Sequence, residues 1–461
     1  MLIFFVVLYL VFTIFVGWFS SRFVKNSKDY VLAGRKMPTF VVASGLFATW
    51  FGSETIMGAS SEFMKNGLLG VIEDPFGAAL CLLLIGLFFA KPLYRLNLYT
   101  FSDYFRQRFN KKVEFISACF MIPSYFSWIA AQLVALAVVL NAISGIPFYL
   151  GILICASVVL FYTYVGGMWS ISISDTIQTV LIIVGLIIIT AQFYQKAGGY
   201  EVIKTNIPKD FFRLIPKENN TMAWLSYFGA WITIGWGSIP QQDVFQRVLS
   251  AKSEKAAVNG SIISSIMYIT VAFLPLSLVF FGGFLYDYAT FKDPQLFIPQ
   301  LIISETNLFM QVLFFGALLS AILSTCSAAV LAPATVVAEN LIKPYYKNLK
   351  DAELLKIMRY STVIITIIAV VLSFYKSNIY ELVGEASALS LVALFVPLTA
   401  GLYWSKSNSQ GAMLSMILGT FTWIFCLIIE TEISPMLWGF FLSIAGMMVG
   451  SFWPKSSKRT N

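Results

Sequence analysis

The sequence predicts an all-α polytopic membrane protein, and three observations carry that reading. Of its 461 residues, 58% are hydrophobic and only 12% charged, against roughly 25% charged in soluble domains. Apolar runs of about 20 residues, the length that crosses a bilayer, recur along the whole chain. Two of them carry the same interruption: Trp50-Phe-Gly-Ser53 in one run is echoed by Trp236-Gly-Ser238 in another, five runs later.

The runs give about 13 transmembrane helices: 1–20, 38–64, 73–92, 113–142, 147–166, 172–195, 222–240, 256–282, 305–339, 357–375, 379–403, 410–430 and 434–453. The first, MLIFFVVLYLVFTIFVGWF, has no basic leader and is followed by Arg22, Lys25 and Lys28. It reads as a retained helix rather than a signal peptide. With the N-terminus outside and the C-terminus inside, 23 of the 31 Lys and Arg fall on the cytoplasmic side, as the positive-inside rule requires. Residues 454–461 then form a cytoplasmic tail. The net charge of +8 is thereby topological, and no nucleic acid is expected as a partner. The outer loops near 196–221 and 283–304 read as short lids or amphipathic helices.

The composition also excludes chemistry. The chain has no His, so a His triad, a His-bound metal and a His proton relay are ruled out. Cys81, Cys119, Cys155, Cys326 and Cys426 sit inside apolar runs with no CxxC spacing and read as small packing residues. There is no GxxxxGK[ST] loop, so active transport has to draw on an ion gradient. An enzyme is not expected, nor is an organic cofactor.

The interrupted spans locate the function. Gly52-Ser53 weakens the second helix, and Pro240 after Ser238 removes a backbone donor from the seventh. Irregular backbone at membrane depth is tolerated where it lines a cavity. An odd number of spans per repeat inverts the second copy. Paired broken helices in inverted repeats point to a transporter site at the midplane. The competing reading is that these Gly and Ser are helix-packing residues.

Four stretches, in this order, resemble the sodium/solute symporter family: DYVLAGRKMP at 29–38, YTYVGGMWSISISDTIQ at 162–178, QRVLSAKSEKAA at 246–257 and LSAILSTCSAAVLAPATVVAENL at 319–341. The family includes proline, sugar, iodide and choline transporters. The resemblance covers about residues 1–450. It implies a five-plus-five inverted-repeat core, here spans 2–6 (about 38–196) and 7–11 (about 222–404). Helices 1–20, 410–430 and 434–453 would be peripheral to one transporter domain, 1–453. It implies sodium inflow coupled to solute uptake by alternating access. An integral membrane protein of a bacterial cell (inner) membrane is expected.

Sodium is a hard cation that prefers oxygen ligands. Ser324 and Thr325 are adjacent hydroxyls in an apolar run, and Ala321 lies one turn back on the same face. The resemblance implies that these three bind sodium together with the carbonyls of Ala48 and Phe51. The alternative is back-bonding of the hydroxyls to the preceding turn. Asp175 is a carboxylate inside a span, a functional residue by default. The resemblance implies that it supports sodium from nearby, or belongs to a second cation site with Ser172 or Ser174. Arg247 is expected in the cytoplasmic loop after the seventh span.

For the solute, the sequence offers Trp50, Ser53, Glu54, Trp128, Trp236 and Gln241. ATW at 48–50 and SIPQQDVFQRVLS at 238–250 resemble the choline branch of the family. Trp50, Trp128 and Trp236 would cage a quaternary ammonium over their faces. Gln241 stands where that branch has a tryptophan, which leaves the cage incomplete. Glu54 reads as a partner for a cationic solute, a cation ligand, or an acid kept neutral by burial. Glu73, Asp74, Glu381 and Glu385 lie nearer span ends and read as solvated. An amino acid, sugar or carboxylate remains the alternative solute. A channel or a non-transporting sensor on the same scaffold is the alternative class.

Overall fold

The computed structural model describes residues 1–205, 207, 209–286, 293–346 and 348–453; the expected tail, 454–461, lies outside them. Among the described residues the chain is helical, and its only β pairing is one isolated bridge, Met37 to Ala251. Ten helices among the described residues are long and apolar enough to cross a membrane. The difference from 13 has a physical cause: broken spans appear as pieces. The second span begins with the short apolar helix Thr39–Trp50 and the fifth with Phe148–Phe161. The seventh is cut into Thr221–Gly237 and Gln242–Ser250.

Large apolar side chains such as Phe4, Phe15, Ile187, Phe421, Phe425 and Ile428 are exposed on the outside of the bundle, as lipid contact requires. Small residues let helices close up. A Cβ at Gly419 would sit 2.2 Å from the Val392 carbonyl oxygen, and one at Gly439 2.7 Å from that of Gly419. Such close backbone approach is how membrane helices gain packing energy.

The fifth and sixth spans run as one helical stretch, Phe148–Lys196, broken at Gly167 (φ 52°, ψ −147°). The left-handed φ favours glycine. A Cβ there would also stand 2.4 Å from the Tyr30 ring. The Tyr30 hydroxyl donates to the Thr163 carbonyl at 2.9 Å, so DYVLAG before the second span locks onto this bend.

The outer loops contain the short helices Gly199–Thr205 and Phe297–Glu305. The second buries Phe297, Ile298, Leu301 and Ile302, and the ninth span starts after it at Leu308 rather than at 305. Four cysteines are buried and none is paired. Cys119 is exposed, contrary to the expectation that all five are packing residues.

Candidate functional site

The site is built on the break in the second span. The helix ends at Trp50, where Phe51 (φ −78°, ψ 72°) takes its carbonyl out of the helical direction. The chain closes the turn with Gly52 N–H on the Trp50 carbonyl, 2.9 Å, and resumes as a π-helical turn, Glu54–Gly58. Gly52 is required for space. A Cβ there would lie 2.7 Å from Thr325 Oγ1, 2.9 Å from Gln132 Oε1 and 3.0 Å from Glu54 Oε2. Polar groups from three spans thus converge on one missing side chain.

On one side of this point are the oxygens expected for sodium. Thr325 Oγ1 is 3.1 Å from the Ala48 carbonyl oxygen and 3.1 Å from that of Ala321. The bond to Ala321 is the back-bond of the alternative reading, and the bond to Ala48 reaches across to the broken span. The helix Leu308–Val336 buries Ala321, Ser324 and Thr325. Ser324 donates to Asp175 Oδ1, which leaves its oxygen lone pairs as acceptors. All the groups are oxygens, carbonyl or hydroxyl, the donor set that suits a hard monovalent cation.

Asp175 is fully buried. Its second oxygen pairs with Arg247 at 3.0 Å, with the two side chains 0% and 3% exposed. This corrects the placement of Arg247. It belongs to the buried helix Gln242–Ser250, the second half of the seventh span. Arg247 also donates to the Asp243 carbonyl at 3.2 Å, and Asp243 Oδ1 accepts from Tyr125 at 2.6 Å. Desolvating two charges is costly, and removing one partner of a buried pair costs more than the pair contributes. Ser172 does not join Asp175. It lines a groove with Lys36, Trp169 and Thr176. Ser174 donates to the Ile171 carbonyl at 3.0 Å.

On the other side of Gly52 is a small cavity, about 10 Å³, lined by Trp50, Glu54, Asp74, Trp128, Tyr268 and Ser238 among others. That volume holds about one water, so a solute enters only as the surrounding helices move apart. Glu54 accepts from Gln132 Nε2 at 2.8 Å and from Ser53 Oγ at 3.4 Å. Ser53 N–H in turn donates to Gln132 Oε1 at 3.1 Å. Asp74 accepts from Tyr268 at 2.8 Å. The Tyr268 and Thr55 hydroxyls are 2.5 Å apart, and both reach the Trp50 carbonyl.

Two expected solute residues are elsewhere. Trp236 stacks on Phe395 at 5.4 Å and 16° and packs on Phe228 and Phe440. Helix phase turns it away from the cavity, which Ser238 lines instead. Gln241 is buried at the start of the second half-helix and is not among the lining residues. Asp74, Tyr268 and Gln132 were missed. Asp74 reads as a span end because Glu73 and Pro75 flank it, yet it is 1% exposed. Glu381 and Glu385 are solvated as expected, 3.2 and 2.7 Å from Lys376.

A continuous set of contacts joins the two sides. Trp128 stacks on Tyr125 at 6.0 Å and 9°. Tyr125 bonds Asp243, Arg247 bonds the Asp243 backbone, and Arg247, Asp175 and Ser324 complete the line.

The comparisons agree with this architecture. The chain is 26% identical over 451 residues to the high-affinity choline transporter 1 of Caenorhabditis elegans, covering 91% of this chain and 76% of that protein. It is 27% identical to the sodium/proline symporter of Escherichia coli, over 89% of this chain and 84% of the other. It is 27% identical to the osmoregulated proline transporter OpuE of Bacillus subtilis, over 98% and 94%. These relatives are transporters, not enzymes. The structure resembles that of a substrate-bound, outward-open Na+-coupled sialic acid symporter at a TM-score of 0.83 and 17% identity, covering 98% of this chain and 97% of the other. A nucleobase-cation-symport-1 family transporter follows at 0.58 and 14%, covering 91% and 93%. Both likenesses speak to the fold. Residues 30–419 match the sodium:solute symporter family, and the chain belongs to it.

Proposed function

We propose that this sodium-coupled solute symporter holds its ion between the carbonyls of Ala48, Phe51 and Ala321 and the hydroxyls of Ser324 and Thr325. Its solute binds in the cavity of Trp50, Glu54 and Trp128. The observation that carries the reading is Thr325 Oγ1, within 3.1 Å of carbonyls from both the broken second span and the ninth. Two spans that must separate or close during alternating access meet at that oxygen. An ion there rewards closure, which is what coupling needs.

Asp175 and Arg247 position Ser324 and make no second cation site, since the guanidinium already neutralises the carboxylate. The repeats run over about 38–196 and 222–404 in a domain spanning 1–453. The N-terminus faces outward, the C-terminus inward, and the chain resides in a bacterial inner membrane. The solute is an organic cation. This is supported by a choline-transporting relative and, more directly, by two carboxylates on one cavity whose lining includes no Lys or Arg. One sodium moving down 100 mV releases about 2.3 kcal/mol. A tenfold sodium gradient adds about 1.4.

The test is uptake into proteoliposomes. An imposed inward sodium gradient is expected to drive accumulation of a labelled organic cation, and an equal potassium gradient is not. Uptake unaffected by sodium would overturn the reading.

A further inference from the structure

We infer that the cavity beside Gly52 is built for a small cation that carries N–H bonds and an oxygen acceptor, a protonated amino alcohol rather than a quaternary ammonium or a zwitterion. This rests on the solute site proposed above and narrows what that site accepts. Glu54 and Asp74 are 3% and 1% exposed and line the same small cavity. Buried charges are ordinarily paired. Asp175 obeys that rule through Arg247. Among the described residues Glu54 and Asp74 do not: the donors on them are neutral, Gln132 and Ser53 on one, Tyr268 and Thr55 on the other. Two carboxylates on one desolvated cavity repel each other, and a cation between them removes that repulsion.

The hydrogen-bond inventory sets the kind of cation. Asp74 Oδ2 is a buried acceptor without a donor. An ammonium N–H satisfies it with a charge-assisted bond, and a quaternary ammonium has no hydrogen on nitrogen to give. A quaternary cation is held by an aromatic enclosure; Trp236 is turned away from this one, and Gln241 is not among the lining residues. The indole N–H groups of Trp50 and Trp128 are buried donors without acceptors, and both residues line the cavity. They call for an oxygen on the ligand. A ligand carboxylate would supply it but adds a third negative charge. A hydroxyl supplies it at no such cost.

The test is calorimetric titration of the purified full chain in NaCl with ethanolamine, its N-methyl and N,N-dimethyl derivatives, and choline. The four cations share a skeleton and a hydroxyl and lose one N–H at each step. Affinity is expected to fall along the series, by about tenfold or more from first to last. Serine is expected to bind more weakly than ethanolamine. Asp74→Asn and Glu54→Gln are each expected to weaken ethanolamine about tenfold or more while sodium still stabilises the protein. Choline or serine binding tightest, or no amine binding while sodium stabilises, overturns the inference and leaves sodium coupling standing. Amines binding in the expected order with no sodium effect overturns the sodium site and leaves the inference standing.

Discussion

The two sides of Gly52 are built on opposite principles. On the proposed sodium side the carboxylate beside Ser324 has a counter-charge: Asp175 faces Arg247, Ser324 donates to Asp175, and Thr325 lies within 3.1 Å of two carbonyl oxygens. On the solute side Glu54 and Asp74 share a cavity whose lining includes no basic residue, and two indole N–H groups lack acceptors. The first region gathers hydroxyl and carbonyl oxygens beside a neutralised carboxylate. On the proposed reading the second is completed by a cationic solute. A symporter benefits from that asymmetry, because a site already satisfied by the protein would close without its cargo.

The contrast is broken most severely at Arg247. Arg247→Ala leaves Asp175 buried and unpaired, and is expected to destabilise the protein by about 3–5 kcal/mol. Thermal unfolding reads the loss directly. Arg247→Met with Asp175→Asn is expected to recover most of it, because the orphaned charge is gone. No recovery would mean that Arg247 acts through packing alone.

Next comes the ion site. Ser324→Ala with Thr325→Ala removes two ligands, each worth on the order of tenfold in affinity. The expected outcome is loss of sodium-driven uptake at normal expression. Gly52→Ala is a smaller perturbation from the other direction. The added methyl lands 2.7 Å from Thr325 Oγ1, and overpacking of this kind costs about 1–3 kcal/mol. Sodium affinity and amine affinity are expected to fall together, since the methyl also meets Gln132 and Glu54. A fall in one alone would uncouple the two sides.

The smallest effect is expected at the outer surface. Lys196, then Tyr286, donates to Glu305 and holds its carboxyl below the ordinary range. A carboxyl depressed in the folded state contributes stability above its unfolded value and loses it as pH falls through the folded one. The contribution therefore disappears only in acid. The pair is a third exposed, so screening limits it to under about 1 kcal/mol. Glu305→Gln is expected to leave unfolding at neutral pH nearly unchanged and to flatten its acid limb.

The juxtaposition of Thr325 with the carbonyls of Ala48 and Ala321 was legible in the sequence, and the lining of the cavity beside Gly52 only partly. Ser324 and Thr325 stand out because adjacent hydroxyls are conspicuous in an apolar run. Gly52-Ser53 and Pro240 announce broken helices by backbone chemistry alone. What periodicity does not carry is how a short polar helix sits. Gln242–Ser250 is buried along its length, yet its composition reads as a loop, which puts Arg247 in a cytoplasmic loop. Asp74 reads as solvated because it lies near the end of an apolar run, yet it is buried. Trp236 shows the opposite error: the motif echo aligned it with Trp50, but its ring packs against Phe395 and Phe440 instead.

The most direct measurement is the thermal stability of the purified protein titrated with NaCl against KCl, for the native chain and for Ser324→Ala with Thr325→Ala. A ligand that binds the folded state raises its stability by mass action. A saturable, sodium-specific rise is expected in the native protein and not in the double variant. Equal sodium responses in the two proteins would contradict it.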